Sequence, residues 1–193
     1  LFRSIRDNEV LDVEVSLAEH RIVRQGFEFD YTIRVESNGE LVWNSITTYL
    51  KQGRFGTDYD SSPRADLIDP IKDGVNVSES VIPENIGKMY AKICSDYNPI
   101  HMSKFAAKLF GFKRDIAHAM WATALSIGKL YLKTGDKPVR VDLGFKGPLF
   151  IGSKSRILKS VNKDFTRFDY YIGGNDKPCI VGKISSVKKG GDL

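Results

Sequence analysis

Two side chains with acid–base chemistry, Asp96 and His101, lie five residues apart on either side of the dipeptide Asn98-Pro99. Proline fixes φ, and an asparagine side chain can bond to nearby backbone. This turn can therefore hold the Asp96 and His101 side chains close together at the opening of one site. A carboxylate and an imidazole that share one water can activate it, because one group takes a proton while the other orients the water. From spacing alone, a solvated surface turn without chemistry is the more common interpretation. Both interpretations stay open at this point.

The composition is that of a globular protein. The chain has 193 residues, with 29 Lys and Arg against 24 Asp and Glu, and 41% of its residues are hydrophobic. These values exclude a disordered, collagen-like or coiled-coil chain, and the length suffices for a core without disulfides or metals. The net charge of +5 favours an anionic ligand but is too small to indicate nucleic acid.

The predicted location is the cytoplasm. The two cysteines, Cys94 and Cys179, are far apart and show no zinc or redox spacing, which is typical of a reducing compartment. The longest nearly apolar run, residues 117–132, is too short and too interrupted for a membrane helix, and no signal peptide is visible. Because the chain opens with Leu1 rather than Met, we expect a longer parent chain.

The first fifty residues predict three strands. Apolar residues alternate with polar ones over residues 11–17 and 27–35, which is the period of a half-buried strand. Ser37-Asn38-Gly39-Glu40 predicts a hairpin turn, after which residues 41–50 return as a third strand. Three uncovered strands would leave an apolar face in water, so we expect them to pack on something else.

A stretch rich in aspartate, proline and glycine follows at residues 53–75 and predicts a linker or surface loop. Next come a short strand near residues 77–82 and a helix opened by Pro83 and Glu84, with an apolar face of Ile86, Met89, Tyr90 and Ile93. Ser103 predicts the cap of a second short helix that ends near Gly111.

A helix that is apolar almost all round, and therefore buried, is predicted over residues 118–133, with Gly135 ending it. Four strands should follow, at residues 139–145, 154–161, 165–172 and 180–187. One buried helix followed by antiparallel strands indicates a curved sheet wrapped around a central helix.

The stretch from Cys94 to His101 closely resembles the signature Ser-Gly-Asp-x-Asn-Pro-Ile-His of the MaoC-like (R)-specific enoyl-CoA hydratases, also called hydratase 2. The resemblance continues through Ala106, Gly111-Phe112 and the run 116–120, where Ile-Ala-His-Ala-Met stands for the usual Ile-Ala-His-Gly-Met. It extends into Phe145-Lys146-Gly147-Pro148-Leu149 and covers residues 76–187. This long and ordered match favours the functional interpretation of Asp96 and His101.

The resemblance implies an α+β hot-dog fold, in which an antiparallel sheet wraps around a long central helix. Residues 1–52 resemble the last three strands of another such repeat, so the chain resembles a double hot-dog dehydratase. The implied organisation is a partial N-terminal repeat at 1–52, a linker at 53–75 and a catalytic domain at 76–193. Exposed sheet edges and the incomplete first repeat further predict self-association, with a homodimer as the expected assembly.

By the same resemblance, Asp96 and His101 would bind the catalytic water, with His101 as the base and Asn98 in support. The backbone N–H of Ala119 would bind the thioester oxygen, since a donor at a helix start suits an enolate-like oxygen. The implied reaction is reversible hydration of a trans-2-enoyl thioester, with no metal and no cofactor beyond the coenzyme A or carrier that bears the substrate. The expected partner is therefore an acyl thioester, with neither nucleic acid nor membrane. The predicted substrate-binding residues are Ser95, Phe112, Ile116, His118 and Met120.

The sequence departs from the family pattern at two places: Cys94-Ser95 replaces Ser-Gly, and Ala119 replaces Gly. Neither change removes a predicted catalytic side chain. They motivate the alternative of a non-catalytic acyl-thioester-binding hot-dog module, and a thioesterase on the same fold is a third hypothesis. Cys94 itself we expect to be a small residue packed under the loop rather than a nucleophile.

Overall fold

The computed structural model describes residues 1–62, 69–132 and 137–187. Within these ranges the chain forms two compact units. The first comprises residues 1–62 with the short segments 137–140 and 186–187, and the second comprises residues 69–132 and 141–185. Among the described residues no helix has the length and apolar character needed to cross a membrane.

The first unit is built on an antiparallel sheet of three strands in the order β1-β2-β3. These are β1 (Asp12–Val23), β2 (Gly26–Ser37) and β3 (Glu40–Gln52). All three predicted strands are present, and β1 continues past its predicted end after a bulge between Leu17 and His20. The predicted turn joins β2 to β3, with Asn38 at φ 52° and Gly39 at φ 76°, the left-handed pair that suits a tight hairpin.

Over residues 26–31 of β2, burial is the reverse of what the alternation predicts, whereas at Arg34 and Val35 it follows the prediction. The carboxylates of Glu28 and Asp30 are buried, and both bind the guanidinium of Arg21 at 2.8 Å. Thr48 donates a further hydrogen bond to Asp30. The opposite face is aromatic and partly exposed. Neighbouring rings on it have centroids 5.7–6.3 Å apart, and they belong to Phe27, Phe29, Tyr31, Tyr49 and Phe55. Polar residues can be buried here because Arg21 supplies their ionic partner.

The stretch predicted as a linker is described at residues 53–62 and 69–75, whereas residues 63–68 lie outside the described part. Asp60 is tied to β1, since its N–H donates to the Ile22 carbonyl and its carboxylate accepts from the Ile22 N–H. Strand β4 begins at Val75, the last residue of this stretch.

The second unit carries the remaining elements. They are β4 (Val75–Val81), α1 (Ile86–Cys94), α2 (Pro99–Met102), α3 (Lys104–Leu109), α4 (Ala119–Lys129), β5 (Val139–Phe145), β6 (Lys154–Val161), β7 (Phe165–Ile172) and β8 (Ile180–Ser186). The sheet order is β4-β6-β7-β8-β5, and the pairs β4-β6, β6-β7 and β7-β8 are antiparallel. The four predicted late strands are all present, within one residue of their predicted ends.

The core of this unit lies between α4 and the sheet. Ala122 of α4 packs with side chains of β6, β7 and β8, among them Ile157, Phe168, Tyr170 and Ile180. A helix laid on one side of an antiparallel sheet is the hot-dog arrangement that the resemblance predicts.

Helix α4 is shorter and less buried than predicted. It spans 11 residues rather than residues 118–133, and Gly135, the predicted end, lies outside the described residues. Met120, Ala124 and Gly128 are exposed, and their spacing of four places them on one helix face. The sheet covers only one side of the helix. Apolar residues on every face of α4 therefore do not make every face buried.

The apolar face predicted for α1 is also wrong in part. Met89 and Ile93 are exposed, and the buried residues are Ile86, Gly87 and Ala91. Small residues are buried here because α1 lies close to other backbone: a Cβ on Gly87 would come within 1.9 Å of the His101 carbonyl oxygen. Pro83 and Glu84 precede the helix rather than open it.

Candidate active site

The turn between α1 and α2 is closed by hydrogen bonds of its own residues. Ser95 ends α1 in the left-handed conformation, at φ 59° and ψ 16°, and its N–H donates to the Ala91 carbonyl at 2.8 Å. The Asp96 carboxylate accepts from the Asn98 N–H at 3.1 Å. The Asn98 side chain in turn accepts from the Ile100 N–H at 3.3 Å and caps α2. These contacts orient the Asp96 carboxylate without burying it.

His101, on α2, faces Asp96 through a nitrogen that is free to accept a proton. Its Nδ1–H donates to the Ile116 carbonyl at 2.8 Å, so Nε2 carries the lone pair. Nε2 lies 3.7 Å from Asp96 Oδ2. This gap is too long for a direct hydrogen bond, and one water can lie within hydrogen-bond distance of both atoms.

Burial keeps the His101 imidazole neutral. Its side chain is 10% exposed, and the loss of hydration lowers its pKa below the ordinary value of 6.5. Nearby His118 acts in the same direction, whereas the hydrogen bond to Ile116 and the Asp96 carboxylate act against it. A neutral imidazole with a free Nε2 is the form that a general base requires.

His118 completes a cluster of three. Its ring stacks on that of His101 with centroids 3.7 Å apart, and its Nε2–H donates to the Asp96 carbonyl oxygen at 3.0 Å. Tyr90 covers it from α1, at 5.2 Å between ring centroids. Nδ1 of His118 is buried and has no hydrogen-bond partner among the described residues. His118 therefore holds the Asp96 backbone and the plane of the His101 ring.

Within the described ranges, the same three residues lie close enough together to be considered as a metal site. One ligand atom from each of Asp96, His101 and His118 lies within 4.8 Å of the others. The two imidazole planes, however, are only 26° apart in a stacked pair. An ion bound by an imidazole lies in the plane of its ring, and two stacked and nearly parallel rings share no such point close to both nitrogens. The arrangement therefore fits a water better than a metal.

Ala119 supplies a hydrogen-bond donor beside this cluster. It is the first residue of α4, and His118 precedes it as the N-cap with extended dihedrals. The N–H of a first helical residue has no acceptor inside its own helix, and the helix dipole adds positive potential there. This N–H can therefore bind an oxygen that gains negative charge.

The other predicted substrate-binding residues are placed differently. Ile116 is buried and contributes its backbone, which bonds to His101 and, through its N–H, to the Ile100 carbonyl. Ser95 and Met120 are exposed, and Phe112 is half-buried with its N–H bonded to the Ala107 carbonyl. Ser95, Met120 and Phe112 make no hydrogen bond or ring contact, within the described part of the chain, with the side chains of the three-residue cluster. Cys94 is exposed rather than packed under the loop, because it lies at the open end of α1.

Sequence reasoning missed the packing that supports the cluster. The sequence predicts Tyr90 only as part of an apolar helix face, because its contact with His118 depends on how α1 lies against the start of α4. Gly87 carried no signal in the sequence, yet its missing side chain lets α1 approach the His101 backbone. The stacking of His101 on His118, 17 positions apart, could not be read from spacing.

Comparison with known proteins identifies the family. The sequence pattern of the MaoC like domain matches residues 64–164, more than half of the chain. The chain belongs to the MaoC-like dehydratase family. A relative named 3-hydroxyacyl-thioester dehydratase X, from Mycobacterium tuberculosis, is 29% identical over 150 residues, which are 78% of this chain and 52% of the relative.

A second relative of this MaoC-like protein is the peroxisomal hydratase-dehydrogenase-epimerase of Neurospora crassa. It is 30% identical over 139 residues, which are 69% of this chain but 15% of that enzyme. The chain thus spans about half the length of the first curated relative and a small part of the second.

Solved structures establish the fold. The crystal structure of HtdX from Mycobacterium tuberculosis aligns with a TM-score of 0.77 at 23% identity, over 96% of this chain and 73% of that one. The MaoC-like dehydratase from Phytophthora capsici aligns with a TM-score of 0.75 at 17% identity, over 93% of this chain and 65% of that one. The α+β hot-dog fold is therefore that of MaoC-like dehydratases.

Proposed function

We propose that this protein hydrates trans-2-enoyl thioesters reversibly to (R)-3-hydroxyacyl thioesters, with a water held between Asp96 and His101. The observation that carries the proposal is the 3.7 Å gap between His101 Nε2 and Asp96 Oδ2, beside the start of α4, where the Ala119 N–H has no acceptor inside its own helix. An acid–base pair and an oxyanion donor are what addition of water to a conjugated thioester needs. The names of the two curated relatives support a dehydratase or hydratase.

In the hydration direction, the thioester carbonyl oxygen accepts from the Ala119 N–H. The held water attacks C3 of the enoyl group while His101 Nε2 takes one of its protons, and the double-bond electrons move toward the carbonyl to form an enolate. The N–H stabilises the negative oxygen, because a donor that is already fixed in position needs no reorganisation as the charge develops.

A proton delivered to C2 completes the addition. The Asp96–His101 pair returns the proton taken from the water, so hydroxyl has added to C3 and hydrogen to C2, with nothing left over. No redox step occurs, and the proposed reaction requires neither metal nor cofactor. Dehydration is the reverse sequence.

We further propose that residues 76–193 form the catalytic domain, with residues 1–52 belonging to a second hot-dog repeat joined through 53–75. A homodimer and a cytoplasmic location are part of the same proposal. They can be tested by light scattering of the full protein and by fractionation of cells.

The test of the function is turnover of crotonyl-CoA, followed by loss of the enoyl-thioester absorbance. We expect Asp96→Asn and His101→Ala each to lower kcat by about 100- to 10,000-fold, the usual range for an acid–base group. Lys163→Glu, at an exposed position in the turn between β6 and β7, serves as a control with unchanged turnover. Wild-type rates in both site variants would refute the proposal, as would release of free thiol from saturated acyl-CoA as the main reaction.

A further inference from the structure

The two helices on either side of the candidate site carry the same six-residue pattern. Residues 88–93 of α1 read Lys-Met-Tyr-Ala-Lys-Ile, and residues 104–109 of α3 read Lys-Phe-Ala-Ala-Lys-Leu. The fourth residue of each, Ala91 and Ala107, is fully buried. Each helix therefore packs inward on its alanine and exposes the first, second, fifth and sixth positions of the pattern.

The outward side of α1 combines lysines with apolar side chains. Lys88 and Lys92 form one row at a spacing of four residues, and Met89 and Ile93 form the neighbouring row. Both lysines are exposed, and both apolar side chains are more than half exposed.

The outward side of α3 repeats this arrangement. Lys104 and Lys108 form the basic row, and Phe105 and Leu109 form the apolar row, each of the two more than half exposed. Lys104 Nζ lies 3.5 Å from the carboxylate of Glu84, just before α1, so the starts of the two helices are adjacent. We call these two outward sides together the docking face.

The docking face is basic. Its four lysines are exposed, and neither helix contains an acidic residue. The segment that carries both helices, residues 84–114, contains six Lys or Arg and two Asp or Glu, a net charge of +4, and Asp115 follows it directly. Clustered charge of one sign attracts and orients a partner of the opposite sign.

We propose that the docking face binds an acidic acyl-carrier protein, which presents the enoyl thioester to Asp96 and His101 on its pantetheine arm. The proposal rests on the proposed function and names the carrier of its substrate. Charge complementarity selects an acidic partner, and the exposed apolar rows require an apolar counter-surface. A protein offers such a surface and the phosphates of a free nucleotide do not. An anionic lipid surface would also match the charge, but it brings no thioester to the turn.

The experiment compares three crotonyl thioesters that differ in their carrier. They are crotonyl-phosphopantetheine on a type II acyl-carrier protein, crotonyl-CoA, and uncharged crotonyl-N-acetylcysteamine. The full protein is tested as wild type, as the double variant Lys92→Glu/Lys108→Glu and as the control Lys163→Glu. Circular dichroism and thermal melting confirm that the variants remain folded.

We expect the double variant to lower kcat/KM for the carrier-protein substrate by about 10-fold or more. Each change from lysine to glutamate replaces attraction of the acidic partner by repulsion at the docking face. Its kcat/KM for the cysteamine thioester should stay within about twofold of wild type, and Lys163→Glu should change neither. Added salt should reduce the difference between wild type and the double variant.

Several results would overturn the inference: an equal fall on all three substrates, an effect confined to crotonyl-CoA, or no effect on the carrier-protein substrate. Loss of binding to phosphatidylserine vesicles with unchanged carrier-protein turnover would also overturn it, in favour of a membrane. If wild type turned over none of the thioesters, the proposed function would fail instead. Calorimetric binding of the crotonyl carrier protein to the same variants would still test whether the docking face binds the carrier protein.

Discussion

The backbone of Ser95 offers a stability test that follows from one dihedral angle. Ser95 sits at φ 59°, where the family signature has glycine, and its exposed side chain ends α1 beside Asp96. An L-residue in this conformation costs about 1–2 kcal/mol, whereas glycine adopts it freely. Glycine loses about 0.5–1 kcal/mol more backbone entropy on folding. Ser95→Gly should therefore raise the free energy of unfolding by roughly 0.5–1 kcal/mol, or Tm by about 1–4 °C for a chain of this size.

The assay is urea and thermal unfolding of wild type, Ser95→Gly and the matched control Ser95→Ala. The alanine variant keeps the strained φ, so its stability should lie within about 0.5 kcal/mol of wild type. Equal stabilisation by both substitutions, or destabilisation by glycine, would show that the left-handed conformation of Ser95 is not what limits stability at the turn.

Three further outcomes follow from the same contacts. Gly87→Ala should destabilise the protein by roughly 1–3 kcal/mol and lower kcat/KM by about 100-fold, because its Cβ would push the His101 backbone away; an unaltered rate would contradict this. Arg21→Leu removes the guanidinium that two buried carboxylates bind and should cost about 3–5 kcal/mol in chemical denaturation, against less than about 1 kcal/mol for the more exposed Arg34→Leu. An NMR titration should give His101 a pKa below 6.5, since burial disfavours the imidazolium, so the base stays neutral as pH falls to 6.5; a value above 6.5 would refute its neutral role.

The elements of the fold could largely be predicted from local pattern. The strands at 139–145, 154–161, 165–172 and 180–187 follow from alternation and turn residues, which act over short distances. Burial could not be predicted in the same way, because it depends on what covers each face. Glu28 and Asp30 look like solvent-facing residues until Arg21 is brought beside them by strand pairing.

One part of the candidate site could likewise be predicted from local sequence, and another part could not. Asp96, Asn98 and His101 share one turn, so their proximity follows from a short motif. The partners that hold His101 come from residues 15 and 17 positions further on, through the Ile116 carbonyl and the His118 ring. Their approach depends on the packing of α2 against the start of α4, which no local periodicity encodes.

Product analysis tests the central claim most directly. Wild-type protein is incubated with crotonyl-CoA in water enriched in oxygen-18, and the thioester product is identified by mass spectrometry and chiral chromatography. We expect (R)-3-hydroxybutyryl-CoA with the label at C3, formed at least about 100-fold more slowly by Asp96→Asn under the same conditions. An (S) or racemic product, or label found in a free carboxylate, would contradict the assignment of a water held between Asp96 and His101.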